Sequence, residues 1–249
     1  MNLFENSQIT EDSLLKRFCS SDASGERQYL TSTIRYKKGQ YIFHEGDLVY
    51  GIYIIQTGKV KVISTGYNGK TQIIRLARPG YLLGFRGLGA AHYMISAIAL
   101  EDATLCFIET ETFTQILQND AILSYQLMLF FANELRLAES RMKNLAQMTV
   151  REKSAEALLL IKQVFGSRSQ REIVLDNSLS RKDIAELVGM SPEQITRSLS
   201  EFKKEGFIQV SGKAITLLNP DALYKLVAPY FPSPPNRETL GEARHIRMT

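Results

Sequence analysis

Residues 179–218 of the chain read LSRKDIAELVGMSPEQITRSLSEFKKEGFIQVSGKAITLL, and this stretch decides the fold of the C-terminal part. Apolar residues recur three or four positions apart on both sides of Gly189, which predicts two short amphipathic helices. Ser180 and Ser191 are the predicted N-caps, with a proline in the first turn of the second helix. Two apolar runs around Gly212 then predict a hairpin. Helix, short turn, helix and hairpin together form a winged helix-turn-helix.

The second of these helices carries a polar face suited to reading DNA. In a winged helix-turn-helix this helix lies in the major groove, and its first turns meet the base edges. Glu193 and Arg197 are four residues apart and share one face. Arginine can bind guanine O6 and N7, glutamate can accept from cytosine N4, and Thr196 can touch a thymine methyl group or a phosphate. The alternative is a solvated polar face with an intrahelical ion pair of about 0.3 kcal/mol.

The charge of the chain permits binding to double-stranded DNA without showing it. The formal net charge is +4 and the isoelectric point is near 9.0, which is only mildly basic. Five polar side chains beside the reading helix and on the hairpin are predicted to contact phosphates. They are Arg151, Arg181, Ser191, Gln194 and Lys213.

The composition limits the class of protein. Hydrophobic residues make up 44% of the 249 residues, as in ordinary soluble proteins of two modest domains. No run of 18 apolar residues and no signal sequence is recognised, so we expect a cytoplasmic protein without a membrane partner. The two cysteines, Cys19 and Cys106, are too few for a zinc or iron–sulfur site. No P-loop, Gly-x-Ser-x-Gly motif, metal-ligand cluster or pair of catalytic carboxylates is found, which argues against an enzyme.

Residues 34–109 have the pattern of an antiparallel β-structure. Runs of four to eight apolar and β-branched residues, such as YGIYIIQTGKVKVIS, alternate with glycine-containing turns. Residues 67–69, Tyr-Asn-Gly, are predicted to form a tight hairpin turn. Short strands separated in this way predict a barrel or jelly roll.

A long helix is predicted over residues 119–149, which contain neither glycine nor proline. Seven residues follow one another at alternating spacings of three and four, which is a heptad seam. The charged residues Glu134, Arg136, Glu139, Arg141 and Lys143 are placed outside it. The helix could pack on its own barrel, but the seam favours pairing with the same helix of a second copy in a homodimer. The seam consists of Met128, Phe131, Leu135, Ala138, Met142, Leu145 and Thr149.

These patterns predict an α+β fold in four segments. Residues 1–118 form an N-terminal helix, with Leu14, Leu15 and Phe18 as its apolar cluster, and a β-roll (jelly roll) sensor domain. Residues 119–148 form the dimerisation helix. Residues 149–228 form the winged helix-turn-helix domain, with a short strand at EIVLD. Residues 229–249 are rich in proline and charge, and we expect a disordered tail.

With these parts in this order, the chain resembles the Crp/Fnr family of bacterial transcription regulators. The segments KKGQYIFHEGD and YGIYIIQTGKVKV are similar to the family's cyclic-nucleotide-binding-type roll, and the heptad helix and winged helix follow in the same order. The resemblance implies a homodimer that binds a palindromic operator under control of an effector at the roll. It also implies RNA polymerase as a partner if the protein is an activator. A module that only senses or scaffolds, as in kinase regulatory subunits or channels, is the alternative, and the winged helix argues against it.

The resemblance also assigns base-reading roles to the second helix. Glu193 and Arg197 match the family's base-reading glutamate and arginine, and Thr196 matches a position that varies between branches of the family. Pro192 replaces an arginine that many cAMP-binding members use for another guanine. A half-site with a TGA- or TGT-like core is therefore expected.

The predicted effector pocket departs from the cAMP-binding pattern. Phe85 stands where the family's ribose-binding glutamate would be, and Ile95 stands where the phosphate-binding arginine would be. An anion buried without its cationic partner costs several kcal/mol, so we expect an effector other than cAMP. Arg86 could hold an anion instead or lie on the surface. The pocket residues are Gly84, Phe85, Arg86, Gly87, Leu88, Ile95, Ser96 and Ala138.

Two redox cofactors are considered for the same roll. The four-thiolate iron–sulfur cluster of the Fnr branch does not fit a chain with two cysteines. Haem stays open, with His44 and His92 as candidate axial ligands and Cys106 as a weaker one. A histidine is more often structural or exposed than a ligand, so the metal prediction is none, with haem as the exception.

Overall fold

A computed structural model describes residues 31–166, 173–175 and 178–231, together with Cys19. The predicted N-terminal helix around Leu14, Leu15 and Phe18 lies outside the described residues. The described chain has an N-terminal β-domain, two consecutive helices that lead away from it, and a C-terminal domain of helices and a small sheet. The predicted α+β class and its order of parts are confirmed.

The β-domain is a roll of two four-stranded antiparallel sheets. One sheet has the order β1-β8-β3-β6 and the other the order β2-β7-β4-β5. Strand β3 shows why the run GIYII, residues 51–55, is apolar throughout. Ile52 and Ile54 pack toward the helices, while Tyr53 and Ile55 pack inside the roll, so both faces of this strand are buried. The strands are β1 Ser32–Tyr36, β2 Tyr41–Phe43, β3 Gly51–Thr57, β4 Val60–Thr65, β5 Thr71–Ala77, β6 Leu82–Leu83, β7 Ser96–Ala99 and β8 Ala103–Glu109.

The turn between β4 and β5 forms at the predicted position. The backbone N–H of Gly69 donates to the carbonyl of Gly66 at 2.9 Å, and the N–H of Gly66 donates to the carbonyl of Lys70 at 2.9 Å. Gly69 has φ of +73°, a conformation that L side chains rarely adopt, so glycine is needed there. The hairpin that this turn closes reaches the C-terminal domain.

Two helices follow the roll where one was predicted. Helix α1 spans Thr110–Asn119. The prediction assigned almost all of this segment to the roll domain and gave it no helix of its own. Asp120 separates it from helix α2, Ala121–Gln147, and caps that helix by accepting from the N–H of Leu123 at 2.8 Å. Helix α2 buries Leu123, Leu127 and Phe130 against the roll. The long helix therefore packs on its own domain along one face and keeps its other face free of the chain.

The break after the long helix is a capping motif rather than a linker. Thr149 caps helix α3, Val150–Phe165, and Glu152 completes a reciprocal capping box with it. Thr149 is thus the start of the next helix and not the last member of the seam. A hydrogen bond of 2.9 Å from Asn144 to buried Glu156 ties the end of α2 to α3.

The C-terminal domain has the predicted winged helix-turn-helix order. Its two central helices are joined by the tight turn at Gly189, which has φ of +64°. The strands form a sheet of order β10-β11-β9. One helix, α6, was not predicted. The elements are β9 Ile173–Leu175, α4 Arg181–Leu187, α5 Pro192–Lys204, β10 Ile208–Ser211, β11 Ala214–Leu217 and α6 Pro220–Val227.

The first residues assigned to the tail belong to the fold. Residues 228–230 form a 3₁₀ turn. The hydroxyl of Tyr230 donates to the Glu152 carboxylate at 3.0 Å, at the start of α3. Residues 232–249 lie outside the described part of the chain. The ordered C-terminal domain therefore extends past the predicted boundary at 228.

The two domains share a continuous apolar core. Ile63 and Ile73 of the β4–β5 hairpin pack in the same cluster as Leu158 of α3 and Leu187 of α4. A partly buried ion pair joins the same parts, from Lys61 Nζ to Asp183 Oδ1 at 2.5 Å. The orientation of the helix-turn-helix relative to the roll is therefore set by direct packing.

Candidate nucleic-acid interface

Helix α5 is held at its start by a complete capping box. The Ser191 hydroxyl oxygen accepts from the N–H of Gln194 at 3.3 Å, and Gln194 Oε1 accepts from the N–H of Ser191 at 2.9 Å. These bonds satisfy backbone donors that would otherwise be open at a helix N-terminus. Both side chains were predicted phosphate contacts, and in this structure they first serve the helix itself.

The two faces of α5 differ completely in exposure. Ile195 and Phe202 are fully buried, and Leu199 is buried with them. The opposite face is exposed and places the three predicted base-reading residues side by side. That surface is formed by Pro192, Glu193, Thr196, Arg197 and Ser200.

The exposed face combines one acceptor, one methyl group and one guanidinium. Hydrogen bonds from the Ser191 side chain and the backbone lower the pKa of Glu193, so its carboxylate is ionised near neutral pH. The Thr196 hydroxyl donates to the Pro192 carbonyl at 2.7 Å, one turn earlier in the same helix. Arg197 is exposed at the fourth residue after Glu193. This set matches the chemistry of base edges in a major groove.

The remaining predicted phosphate contacts have different surroundings. Lys213 is exposed at the tip of the β10–β11 wing. Arg181 donates to the Gly212 carbonyl at 3.4 Å, and burial lowers its pKa. Arg151 is bound by Glu205 through two hydrogen bonds of 2.8 and 2.5 Å and lies over the Phe202 ring. Its charge is largely neutralised within the chain, so Lys213 is the more available cation of the two.

The predicted effector pocket is filled by side chains. Phe85 packs against Phe130 and Phe131 with ring centroids 5.4 and 5.6 Å apart. Ile95 is buried on the other side, and the space left between them is about 10 Å³, which holds at most one water molecule. Ser96 accepts from the N–H of Glu45 at 2.8 Å. Gly84, Gly87 and Leu88 share the same turn as Phe85, whereas Ala138 is exposed on α2.

Arginines gather beside this turn, on the side that faces α2. Arg75 of β5 lies 3.3 Å and Arg86 lies 3.7 Å from the same carboxylate oxygen of Glu134. Farther along α2, Arg141 donates to the carbonyls of Ile74 in the roll and Leu187 in α4. Glu134 and Arg141 were predicted to lie outside the heptad seam, and the structure adds that both contact other parts of the chain rather than only solvent.

The candidate haem ligands have different surroundings in the structure. His44 is exposed and stacks on Tyr41 with centroids 3.9 Å apart, and His92 is exposed in a bridge with Leu48. Cys106 is fully buried in β8. Among residues 31–166, 173–175 and 178–231, no group of three or more His, Cys, Asp or Glu side chains could hold a metal ion.

Comparison with known proteins identifies both domains. Residues 33–120 match the cyclic nucleotide-binding domain, and residues 152–226 match the Crp-like helix-turn-helix domain. The chain is 32% identical over 192 residues to the fumarate and nitrate reduction regulatory protein of Escherichia coli (strain K12), covering 76% of each chain. The chain belongs to the Crp/Fnr family of transcription regulators. The fumarate and nitrate reduction regulatory protein of Salmonella typhimurium matches to the same extent.

Solved Crp/Fnr structures have the same architecture. FixK2 from Bradyrhizobium japonicum superposes with a TM-score of 0.72 at 26% identity, over 80% of this chain and 98% of that one. A Crp/Fnr-family transcriptional regulator from Thermus thermophilus has the same fold, with a TM-score of 0.67 at 24% identity, over 78% of this chain and 97% of that one. The chain is thus a Crp/Fnr-type transcription regulator with a helix-turn-helix DNA-binding domain. The proteins that it matches are regulators and not enzymes.

The outer face of α2 carries exposed apolar side chains in the heptad register predicted from the sequence. Met128, Leu135 and Met142 are seven residues apart and have 56%, 61% and 68% of their surface exposed. Phe131 and Leu145 are half-buried against the chain's own roll and C-terminal domain.

No helix in the described part of the chain is long and apolar enough to cross a membrane.

Proposed function

We propose that two copies of the chain pair along α2 and bind a palindromic operator, under control of an effector at the roll. The reading helix α5 of each copy would then enter successive major grooves about 34 Å apart. We further propose that the protein acts in the cytoplasm and, as an activator, would contact RNA polymerase. The observation that carries the proposal is the exposed face of α5 with Glu193, Thr196 and Arg197, opposite a fully buried face.

The exposed seam supports the dimer. Three large apolar side chains in one heptad register are costly to leave in water, and a second α2 offers the matching surface. Leu123, Leu127 and Phe130 face the roll and already have partners, so the exposed members of the seam, Met128, Leu135 and Met142, form a separate surface. An isologous pairing of this kind would give two copies of α5 related by a twofold axis.

The filled turn at Phe85 and Ile95 supports an effector other than cAMP. A nucleotide needs a cavity of several hundred cubic ångströms and a cation for its phosphate. The space between these side chains is about 10 Å³. Neither residue carries a charge that could bind the cyclic phosphate.

The dimer is tested by replacing one exposed seam residue with a charged one. Leu135→Glu should weaken self-association by at least about 100-fold, because each chain would bury a carboxylate in an apolar seam. Sedimentation equilibrium with and without DNA measures this. Ile122→Glu, an exposed apolar residue of α2 outside the seam, is the matched control and should leave the association unchanged. Single wild-type chains at every concentration, also on DNA, would refute the dimer.

The operator is tested by selecting binding sites from a pool of random duplexes. Recovered sites should have twofold symmetry, with half-site centres about 10 base pairs apart. The same selection with Arg197→Ala should lose the preference for guanine at one position of each half-site. Sites without symmetry, or identical sites from both proteins, would contradict the proposed reading by α5.

A further inference from the structure

A cavity of about 390 Å³ lies where the roll, the long helix and the DNA-binding domain meet. Strand β5 forms one wall, α2 forms the second, and α3 forms the third. Its volume falls in the range of pockets that hold small organic ligands. It differs from the filled turn at Phe85, which encloses about 10 Å³. Leu76, Leu137, Leu160 and Val164 make much of the wall apolar.

The polar part of the wall is strongly cationic. Arg75, Arg86 and Arg141 all line the cavity, and Glu134 is the acid among the lining residues. The charged groups of the wall sum to +2, and the buried Glu156 carboxylate, which does not line the cavity, also acts on Arg141. The Glu134 carboxylate meets two guanidinium groups through the same oxygen. An additional anion would therefore gain charge-assisted hydrogen bonds in partly desolvated surroundings.

Partial desolvation of the arginines makes the binding of such an anion more favourable. Burial lowers the pKa of Arg86, against the opposing effect of Glu134, and burial likewise lowers the pKa of Arg141. Both guanidinium groups are thus held where water stabilises their charge less than usual. An anion in contact with them would offset that cost.

One of these arginines connects the cavity to the DNA-binding domain. Arg141 donates to the carbonyl of Leu187 at 3.2 Å, at the end of helix α4. It also donates to Ile74 in the roll. The guanidinium has five N–H donors, so an anion that draws it toward the cavity would weaken one or both of these hydrogen bonds, and the contact between α2 and the helix-turn-helix would then change.

We infer that this cavity binds an amphipathic organic anion, with its apolar body against Leu137 and Leu160 and its charged group at Arg75, Arg86 and Arg141. Binding shifts the DNA-binding domain through the Arg141–Leu187 contact. This inference names the chemistry of the effector, and its regulatory part rests on the proposed function. A second chain is the competing occupant, because Ala138 and Met142 belong both to the seam and to the rim.

The test uses 8-anilinonaphthalene-1-sulfonate, a fluorescent anion on an aromatic body, and its neutral analogue N-phenyl-1-naphthylamine. The full-length protein should bind one sulfonate per chain, and dodecanoate should displace it whereas dodecanol should not. Arg86→Gln should weaken sulfonate binding about tenfold and leave the neutral analogue within about twofold, because one charge-assisted contact is lost. Arg86→Lys should restore most of the affinity.

Arg35→Gln is the matched control, because Arg35 is exposed on β1 and does not line the cavity. If Arg86→Gln and Arg35→Gln bound the sulfonate equally, the site would be wrong. If one sulfonate per chain bound only below the association midpoint and was expelled as dimers formed, the partner chain would be the occupant. If dodecanol displaced the sulfonate as well as dodecanoate does, the negative charge of the ligand would not contribute to binding, and the proposed anion site would be wrong.

The regulatory part is read separately on operator DNA. Saturating sulfonate should change the operator affinity of the wild type at least about threefold and that of Arg86→Gln much less at the same concentration. If sulfonate left the operator affinity of the wild type unchanged, the coupling between the cavity and the DNA-binding domain would be refuted, but the anion site itself would not. If the wild type and the variants all bound operator and random DNA equally while sulfonate binding stayed intact, the proposed function would be refuted. The assignment of the anion site to the cavity would still stand.

Discussion

The exposed face of α5, which we propose reads DNA, and the turn at Phe85, where the family resemblance predicted the effector pocket, are built in opposite ways. On α5 the polar residues Glu193, Thr196 and Arg197 are exposed, while the capping box and the buried face hold the helix in place. At the turn, Phe85 and Ile95 stand at two polar positions of the cAMP-binding pattern; Phe85 packs on α2, and Ile95 packs inside the roll. A binding surface can thus be lost to packing while the fold around it stays the same.

The largest expected effect is on stability, at the filled turn. Phe85→Ala should lower the free energy of unfolding by about 3–5 kcal/mol, because it removes a ring packed against Phe130 and Phe131. Urea unfolding followed by circular dichroism measures this. Met94→Ala, whose side chain is 68% exposed, should stay within about 0.5 kcal/mol of the wild type. Equal stability of both variants would mean that Phe85 is not structural and would remove the contrast with α5.

On the reading face the effect should fall on binding and not on stability. Arg197→Ala should cost about 1–3 kcal/mol in specific binding and flatten the preference at one base pair, with unchanged unfolding. Fluorescence anisotropy on specific and random duplexes measures both affinities. Lys203→Ala, an exposed residue near the end of the same helix, should keep the preference. Equal losses of affinity on specific and random duplexes would mean that Arg197 contacts phosphates and not bases.

The wing should act on all sequences alike. Lys213→Ala should weaken specific and random duplexes equally and reduce the slope of log K against log salt by about 0.9, as expected for one phosphate contact. A salt titration of binding measures the slope. Lys70→Ala, exposed on the roll hairpin, should leave it unchanged. A sequence-dependent loss in Lys213→Ala would make the wing a second reading element.

The smallest effect concerns the ion pair that joins the two regions. Burial raises the pKa of Asp183, but hydrogen bonds from Lys61 and Ser180 outweigh it, and the net pKa is lowered. The stabilisation is therefore present above the unfolded pKa of about 3.9 and is lost as the pH falls through the lower folded value. Asp183→Asn and Lys61→Met should both show a smaller loss of unfolding free energy between about pH 5 and pH 3. Wild-type pH dependence in both variants would show that this pair does not couple the domains.

Much of the reading domain could be predicted because its signals are local. The N-caps at Ser180 and Ser191, their capping boxes and the turn at Gly189 all depend on residues within a few positions of one another. The apolar run of β3 and the turn at Gly69 are local in the same sense. Helices α1 and α6 were missed because they span only 10 and 8 residues, and over so few residues a helical pattern is hard to distinguish from a short apolar run.

The charged residues of α2 could not be placed in this way. Glu134 and Arg141 have the spacing of an exposed polar face, and their partners, Arg75 and the carbonyls of Ile74 and Leu187, are distant in the sequence. Periodicity reports which residues share a face, but it does not tell which neighbour covers that face. Only the packing of β5 on α2 makes these charges internal.

The amino-acid sequence by itself determined most of the secondary structure, the order of the domains and the reading face of α5, because caps, turns and apolar periods act over a few residues. The tertiary structure alone decided which arginines surround the cavity, and how the helix-turn-helix is joined to the roll. Lys61 and Asp183 are 122 positions apart. Contacts over such distances exist only after the domains have packed, since the free energy of a charge depends on everything that surrounds it.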